Sequence, residues 1–203
     1  PEPATFCAMK NLAHLMDQLA RERVFEELCK LLLSATVADL QTFAPLLTQV
    51  IPELTPSLGF QQHSPHHSYD VFTHAAHVVE AVPKELALRW AALLHDIGKP
   101  ACFTLDADGR GHFKGHAKVS QEMADAILLR LKAPTALRQQ VTELIGQHMT
   151  KLEPDKKLLR RRLGKLGQAR LEQLICLQEA DMGSKGTGLP EEMEQFSVIR
   201  KLI

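Results

Sequence analysis

The pentapeptide HDIGK at residues 95–99 constrains this chain more than any other feature. It sets an imidazole and a carboxylate side by side at the end of an apolar run, LRWAALL, that reads as a helix. His95 and Asp96 offer a divalent cation one nitrogen and one oxygen, and Gly98 is expected to let the backbone turn away straight afterwards. Lys99 brings a cation to the mouth of the same place. Two adjacent ligands do not fill a coordination sphere, so other segments must deliver further His or Asp side chains to this point.

Apolar residues counted at helical spacing supply them. His74 falls in the series Val71, His74, Val78, Val82, and His95 in Leu88, Ala92, His95. His116 opens the series Val119, Met123, Ile127, while His148 closes Leu137, Val141, Leu144. Asp181 follows Leu174 and Leu177. A single histidine on an apolar face is usually a hydrogen-bonded core residue. An ionised carboxylate on an inward face is harder to dismiss, because burial is costly unless a cation or several donors compensate it. Taken together, His74, His95, Asp96, His116, His148 and Asp181 form a candidate metal set. His77 lies on a different face from His74, and His112 has no helical pattern behind it, so neither joins the set.

The surrounding sequence predicts a mainly α fold with one short β-hairpin. Helices are expected at 4–19, 20–34, 37–50, 69–82, 85–97, 116–132, 135–149, 155–164 and 168–183, with a last one from Pro190 onward. Pro52, Pro56 and Gly59 mark a boundary, giving a helical segment at 1–58, a main domain at 59–186 and the start of a further helical segment at 187–203. The turn signal Asp106-Ala107-Asp108-Gly109 predicts the hairpin. The chain starts without methionine and stops inside a helical pattern, so it reads as a piece of a longer protein.

Lys plus Arg is 24 and Asp plus Glu is 24, which removes any global electrostatic drive toward nucleic acid or membrane. An RNA contact must be local, and the run Lys156, Lys157, Arg160, Arg161, Arg162, Lys165, Arg170 is the place for one. Cys7, Cys29, Cys102 and Cys176 lie far apart without CxxC spacing, so a zinc knuckle or disulfide framework is not expected and a reduced, cytoplasmic setting is. No apolar run approaches the roughly 20 residues of a membrane span.

The order His74, His95-Asp96, His116, His148, Asp181 resembles the HD superfamily of metal-dependent phosphohydrolases. The runs GFQQHSPHHSYDVFTHAAH and LRWAALLHDIGKPACFTLDADGRGHFKGH resemble, more closely, the HD region C-terminal to the nucleotidyltransferase head of bacterial tRNA CCA-adding enzymes. RERVFEELCKLLLS and VIPEL are similar to the end of the neck in those enzymes. The resemblance implies an HD-domain helical bundle preceded by neck-like helices. Nothing here offers the Gly-rich loop and spaced carboxylates of a nucleotidyltransferase head, so nucleotide addition is not expected from this chain.

The resemblance also implies a role for each candidate. His74, His95, Asp96 and Asp181 would hold a divalent ion (Mg, Mn, Co, Ni or Zn), with His95, Asp96 and Lys99 closest to the chemistry. His116 and His148 match positions that hold a second metal or bind the substrate phosphate. Lys99 would neutralise phosphate, and a loop with Gln61, His63, His66 and His67 would line the site. Of these loop residues, His63 and His67 are the substrate-binding candidates, together with Arg160, Arg161 and Arg162 for RNA. The expected substrates are 2′,3′-cyclic phosphodiesters, 2′-nucleotides or other phosphomonoesters, with tRNA as partner of the full-length protein. A tRNA-binding body with a silent or structural metal site is the alternative, and a di-iron oxygenase the third reading.

Overall fold

The computed structural model describes residues 20–64, 68–186 and 190–203, so the expected helix at 4–19 and the candidates His66 and His67 lie outside the described residues. The chain is mainly α. Helices α1 (Arg21–Ser34) and α2 (Val37–Val50) lead through a 3-10 turn, Pro52–Ser57, to α3 (Val71–Ala81) and α4 (Leu86–Leu94). A hairpin of β1 (Thr104–Leu105) and β2 (Gly111–His112) follows, then α5 (His116–Arg130), α6 (Thr135–Gln147), α7 (Lys156–Leu166), α8 (Gln168–Gly183) and α9 (Pro190–Leu202).

Local chemistry sets several of these starts. Thr36 and Asp39 form a capping box at α2, and the carboxylates of Asp70 and Asp155 accept N–H groups in the first turns of α3 and α7. In the hairpin, Thr104 pairs with His112 and Leu105 with Gly111, antiparallel. Asp106 closes the turn by accepting from the N–H groups of Asp108 and Arg110, and Gly109 takes the positive φ of 75° that the turn requires.

Apart from Arg89, helix α4 is apolar on every side, and it is buried accordingly: residues 87–94 are all buried. It packs against α3, α6 and α8, and α1 covers its remaining flank. There Phe25 stacks on Trp90 with centroids 5.7 Å apart, and Trp90 Nε1 donates to Cys29 Sγ at 3.3 Å. Buried Arg89 donates to the carbonyl of Ala35 at the end of α1. Side chains from α1 to α9, including Leu32, Leu47, Trp90, Leu144, Leu174 and Ile199, belong to one apolar cluster. No helix among the described residues is long and apolar enough to cross a membrane, and Cys29, Cys102 and Cys176 are free.

Two of the helices that stop short of their sequence patterns end just before a candidate histidine. The pattern for α4 runs to 97 and that for α6 to 149, but they end at Leu94 and Gln147. In both cases the next residue is a histidine whose Nδ1 takes a carbonyl oxygen of the last turn, Ala92 for His95 and Ile145 for His148. That carbonyl would otherwise accept the backbone N–H continuing the helix. The HDIGK segment is therefore a run of tight turns.

Candidate metal centre

The ends of these helices converge on one carboxylate. Asp96 is buried just beyond α4, His95 precedes it, His116 is the first residue of α5, His148 follows α6, and His74 lies on the buried face of α3. Asp96 Oδ2 is 3.2 Å from His95 Nε2 and 3.7 Å from His74 Nε2. Its other oxygen, Oδ1, is 3.2 Å from His116 Nε2 and 3.8 Å from His148 Nε2. Asp181, near the end of α8, places Oδ1 3.0 Å from His74 Nε2 and 3.9 Å from His95 Nε2. Asp96 thus turns one oxygen toward each of two triads, His74-His95-Asp96 and Asp96-His116-His148, each compact enough to hold an ion.

All four rings are oriented in the same way. Nδ1 of His95, His116 and His148 donates to the carbonyls of Ala92, Phe113 and Ile145 at 2.8, 2.8 and 2.6 Å, and Nδ1 of His74 to Ser184 at 3.3 Å. A carbonyl can only accept, so these contacts fix the proton on Nδ1 and turn each Nε2 toward Asp96.

The donor set fits a cation. Oδ2 of Asp96 and Nε2 of His95 are buried and neither makes an aligned hydrogen bond, although Lys99 Nζ lies 2.6 Å from Asp96 Oδ2. Nε2 of His116 and His148 approach to 3.2 Å. Nitrogens sharing one ion at about 2.1 Å each are also separated by roughly 3 Å. Imidazole nitrogens and carboxylate oxygens suit several first-row divalent ions.

Electrostatics agree with the geometry. Burial works against charge on Asp96, yet His95 and Lys99 nearby, with the His116 imidazole close to its other oxygen, hold it well below the usual carboxylate range. Burial opposes charge on Asp181 too, and the His74 hydrogen bond and the neighbouring imidazoles outweigh it and hold its pKa below the ordinary value. His95 is drawn toward its neutral form by burial but ends above the ordinary histidine value because Asp96 and Asp181 favour its cation. His148 goes the other way: burial and the charge of His95 push it down to about 4.

A cavity of ≈ 470 Å³ opens over Asp96, walled by the hairpin and the start of α5, with Lys99, Phe113, Lys114, Met149 and Lys185 among its lining residues. Lys99 is buried rather than standing at the mouth. Its Nζ also donates to Gln62 Oε1 at 2.7 Å and sits 5.3 Å from the Phe113 ring centroid. Phe103, Phe113 and Phe60 pack edge and face behind it. The backbone does turn at Gly98, without a left-handed conformation. The glycine is required because a Cβ there would stand 2.8 Å from the Ser120 backbone nitrogen on α5, and that close approach brings His116 to Asp96.

The other candidates are not brought to the cavity. His63 is exposed and packs on Phe103, and Arg160, Arg161 and Arg162 lie on α7; His77, left out of the set, stacks on Tyr69. The sequence reading missed Gln62, Lys114, Met149 and Lys185. Three of these adjoin recognised positions, since Gln62 lies between Gln61 and His63, Met149 follows His148 and Lys185 is one helical turn beyond Asp181.

Comparison with known proteins gives a consistent picture. Residues 66–182 match a family model described as "HD domain", and residues 1–58 one described as "Probable RNA and SrmB- binding site of polymerase A". The chain is 36% identical over 188 residues to the A-adding tRNA nucleotidyltransferase of Deinococcus radiodurans, covering 88% of this chain and 43% of that protein. It is 38% identical over 171 residues to the CC-adding tRNA nucleotidyltransferase of Thermus thermophilus, covering 80% and 39%. Against the multifunctional CCA protein of Aromatoleum aromaticum it is 34% identical over 142 residues, covering 66% and 34%. The chain spans less than half the length of these relatives.

Proposed function

This chain belongs to the HD domain family, and on that premise we propose that it is a metal-dependent phosphohydrolase acting on a nucleotide or RNA phosphate ester, a 2′,3′-cyclic phosphodiester or a phosphomonoester. The observation that carries the reading is the buried Asp96 carboxylate with four imidazole Nε2 atoms turned toward it. His74, His95, Asp96 and Asp181 would hold one divalent ion; His116, His148 and the second oxygen of Asp96 would hold another. An ion bound there supplies a Lewis acid for phosphoryl oxygens and makes hydroxide available near neutrality.

The chain's own groups complete the site. The carbonyls of Ala92, Phe113, Ile145 and Ser184 hold the imidazoles in orientation, so little reorganisation is needed when substrate arrives. Lys99 on the inner wall, with Lys114 and Lys185, offsets phosphoryl charge. A water oxygen attacks phosphorus, the ester P–O bond breaks, and the leaving oxygen takes up a proton. Release of 2′- or 3′-nucleotide from 2′,3′-cyclic AMP, lost in Asp96→Ala, tests this.

A second reading is favoured by the match of residues 1–58 to an RNA-binding model and by the names of the relatives. In it the chain is the HD part of a tRNA nucleotidyltransferase and binds tRNA around a structural metal site, with Arg160, Arg161 and Arg162 on the RNA. Tight tRNA binding without phosphate-ester turnover would favour this reading over the first.

A further inference from the structure

The cavity over Asp96 has a neighbour. Asp181, Met149 and Lys185 line both it and a second cavity of ≈ 310 Å³ between α6, α8 and α9. Their linings differ in chemistry. The first carries Lys99 and Lys114 beside Asp96, a setting for phosphate. The second has buried Leu152 and Phe196 and half-buried Met182 for walls, with Gln178 and Gln195 at its edges. Its one further lysine, Lys151, is paired with Glu153 at 2.6 Å, so little net charge faces an occupant.

The two amides are not equivalent. Gln178 Nε2 donates to the carbonyls of His148 and Thr150, both at 2.7 Å, and is committed to holding the turn after α6. Among the described residues, Gln195 Nε2 reaches only the Met182 sulfur at 4.0 Å, a weak acceptor. Its carbonyl and amino groups are therefore available to a ligand edge. Met149, 61% exposed, stands on the partition between the cavities and offers a polarizable thioether to a ring face.

Apolar walls, a thioether on the partition and one uncommitted amide are the requirements of a flat heteroaromatic ring with donors and acceptors along its edge. We propose that this second cavity is a nucleobase subsite: the phosphate sits over Asp96, and the base of the same nucleotide lies against Met149 with its edge on Gln195. Gln195 and Phe196 lie beyond the HD match at 66–182, so base selection is supplied by the helix that follows the family domain. The inference rests on the phosphate-ester reading above, but binding alone tests it.

The experiment compares 5′-AMP with ribose 5-phosphate, which differ only in the base, by calorimetric titration in Mn²⁺ of the wild-type chain, Gln195→Leu and Met149→Ala. The wild type should bind 5′-AMP about tenfold more tightly than ribose 5-phosphate, and each variant should shrink that ratio threefold or more, with ribose 5-phosphate affinity unchanged in Gln195→Leu. Equal affinities in the wild type, no binding of either compound, or a ratio that survives in both variants overturns the subsite. Turnover of bis(p-nitrophenyl) phosphate by the wild type, measured in parallel, judges the hydrolase reading separately.

Discussion

His116 Nε2 lies 3.2 Å from His148 Nε2, while the Nδ1 of each ring is committed to a carbonyl oxygen. Neutral rings so fixed point lone pairs at one another, and only a proton or a metal ion between them relieves the repulsion. His148, held down to about 4, resists the proton. Two divalent ions per wild-type chain and one in His148→Ala are therefore expected from elemental analysis. Metal at a hundred times its Kd should stabilise the fold by about 2.7 kcal/mol, read as a higher melting temperature than in chelator. An unchanged count of one ion in both proteins would sink the binuclear arrangement.

Acid should destabilise the metal-stripped protein in a defined window. The His148 pKa falls from 6.5 to about 4 on folding, so between those values the unfolded chain takes up a proton that the fold refuses. Stability therefore rises with pH through this range, and the loss below it approaches about 3 kcal/mol. Asp96 and Asp181, both depressed, add stability present above their ordinary values and lost as pH falls through their folded ones. His95 has the opposite sign: raised by its carboxylate neighbours against burial, it contributes stability that is full below 6.5 and lost as pH rises through its folded value. Urea midpoints of chelated protein should drop from pH 6.5 to 4, and less steeply in His148→Gln. Parallel profiles for the two proteins would contradict the assignment.

How far the sequence reveals this site depends on what placed each residue. His74, His95, His116, His148 and Asp181 were legible because helical periodicity aims them inward, and all five reach Asp96 or its triads. The hairpin was legible because Asp106 and Gly109 carry local turn chemistry. Lys114 and Gln62 were not, since their positions come from the hairpin folding onto the loop at 60–63, where Gly111 N donates to the His63 carbonyl. The need for Gly98 was equally hidden: it answers to Ser120, an approach between helix ends with no periodic trace.

Gln62 gives a sharp test of Lys99. Its amide oxygen is the neutral acceptor for the buried ammonium, and its amino group donates to the Tyr69 carbonyl. Gln62→Leu should cost about 1–3 kcal/mol in urea unfolding. It should also weaken Mn²⁺ binding, because Lys99 then rests on Asp96 alone. Lys99→Met should do the reverse for the metal, tightening it by removing a cation 2.6 Å from Asp96 Oδ2, while lowering phosphate-ester turnover. A Lys99→Met variant with weaker metal binding would argue against this competition.

The basic helix α7 decides the RNA reading. Arg160 and Arg161 are exposed and Arg162 is half-buried. Replacing all three by Ala should weaken tRNA binding and reduce the slope of log affinity against log salt by about 0.9 for each duplex phosphate that an arginine no longer neutralises. An unchanged affinity and slope would remove these residues from any RNA interface.

Metal-stripped protein, titrated separately with Mg, Mn, Co, Ni and Zn beside an Asp96→Ala control, addresses the proposed activity most directly when release of nucleotide from 2′,3′-cyclic AMP is followed. Metal-dependent release in the wild type and its loss in the variant are expected, since Asp96 is the one carboxylate shared by both triads. Absence of release with every metal, in protein shown to be folded, would contradict the phosphohydrolase account and leave the tRNA-binding reading in its place.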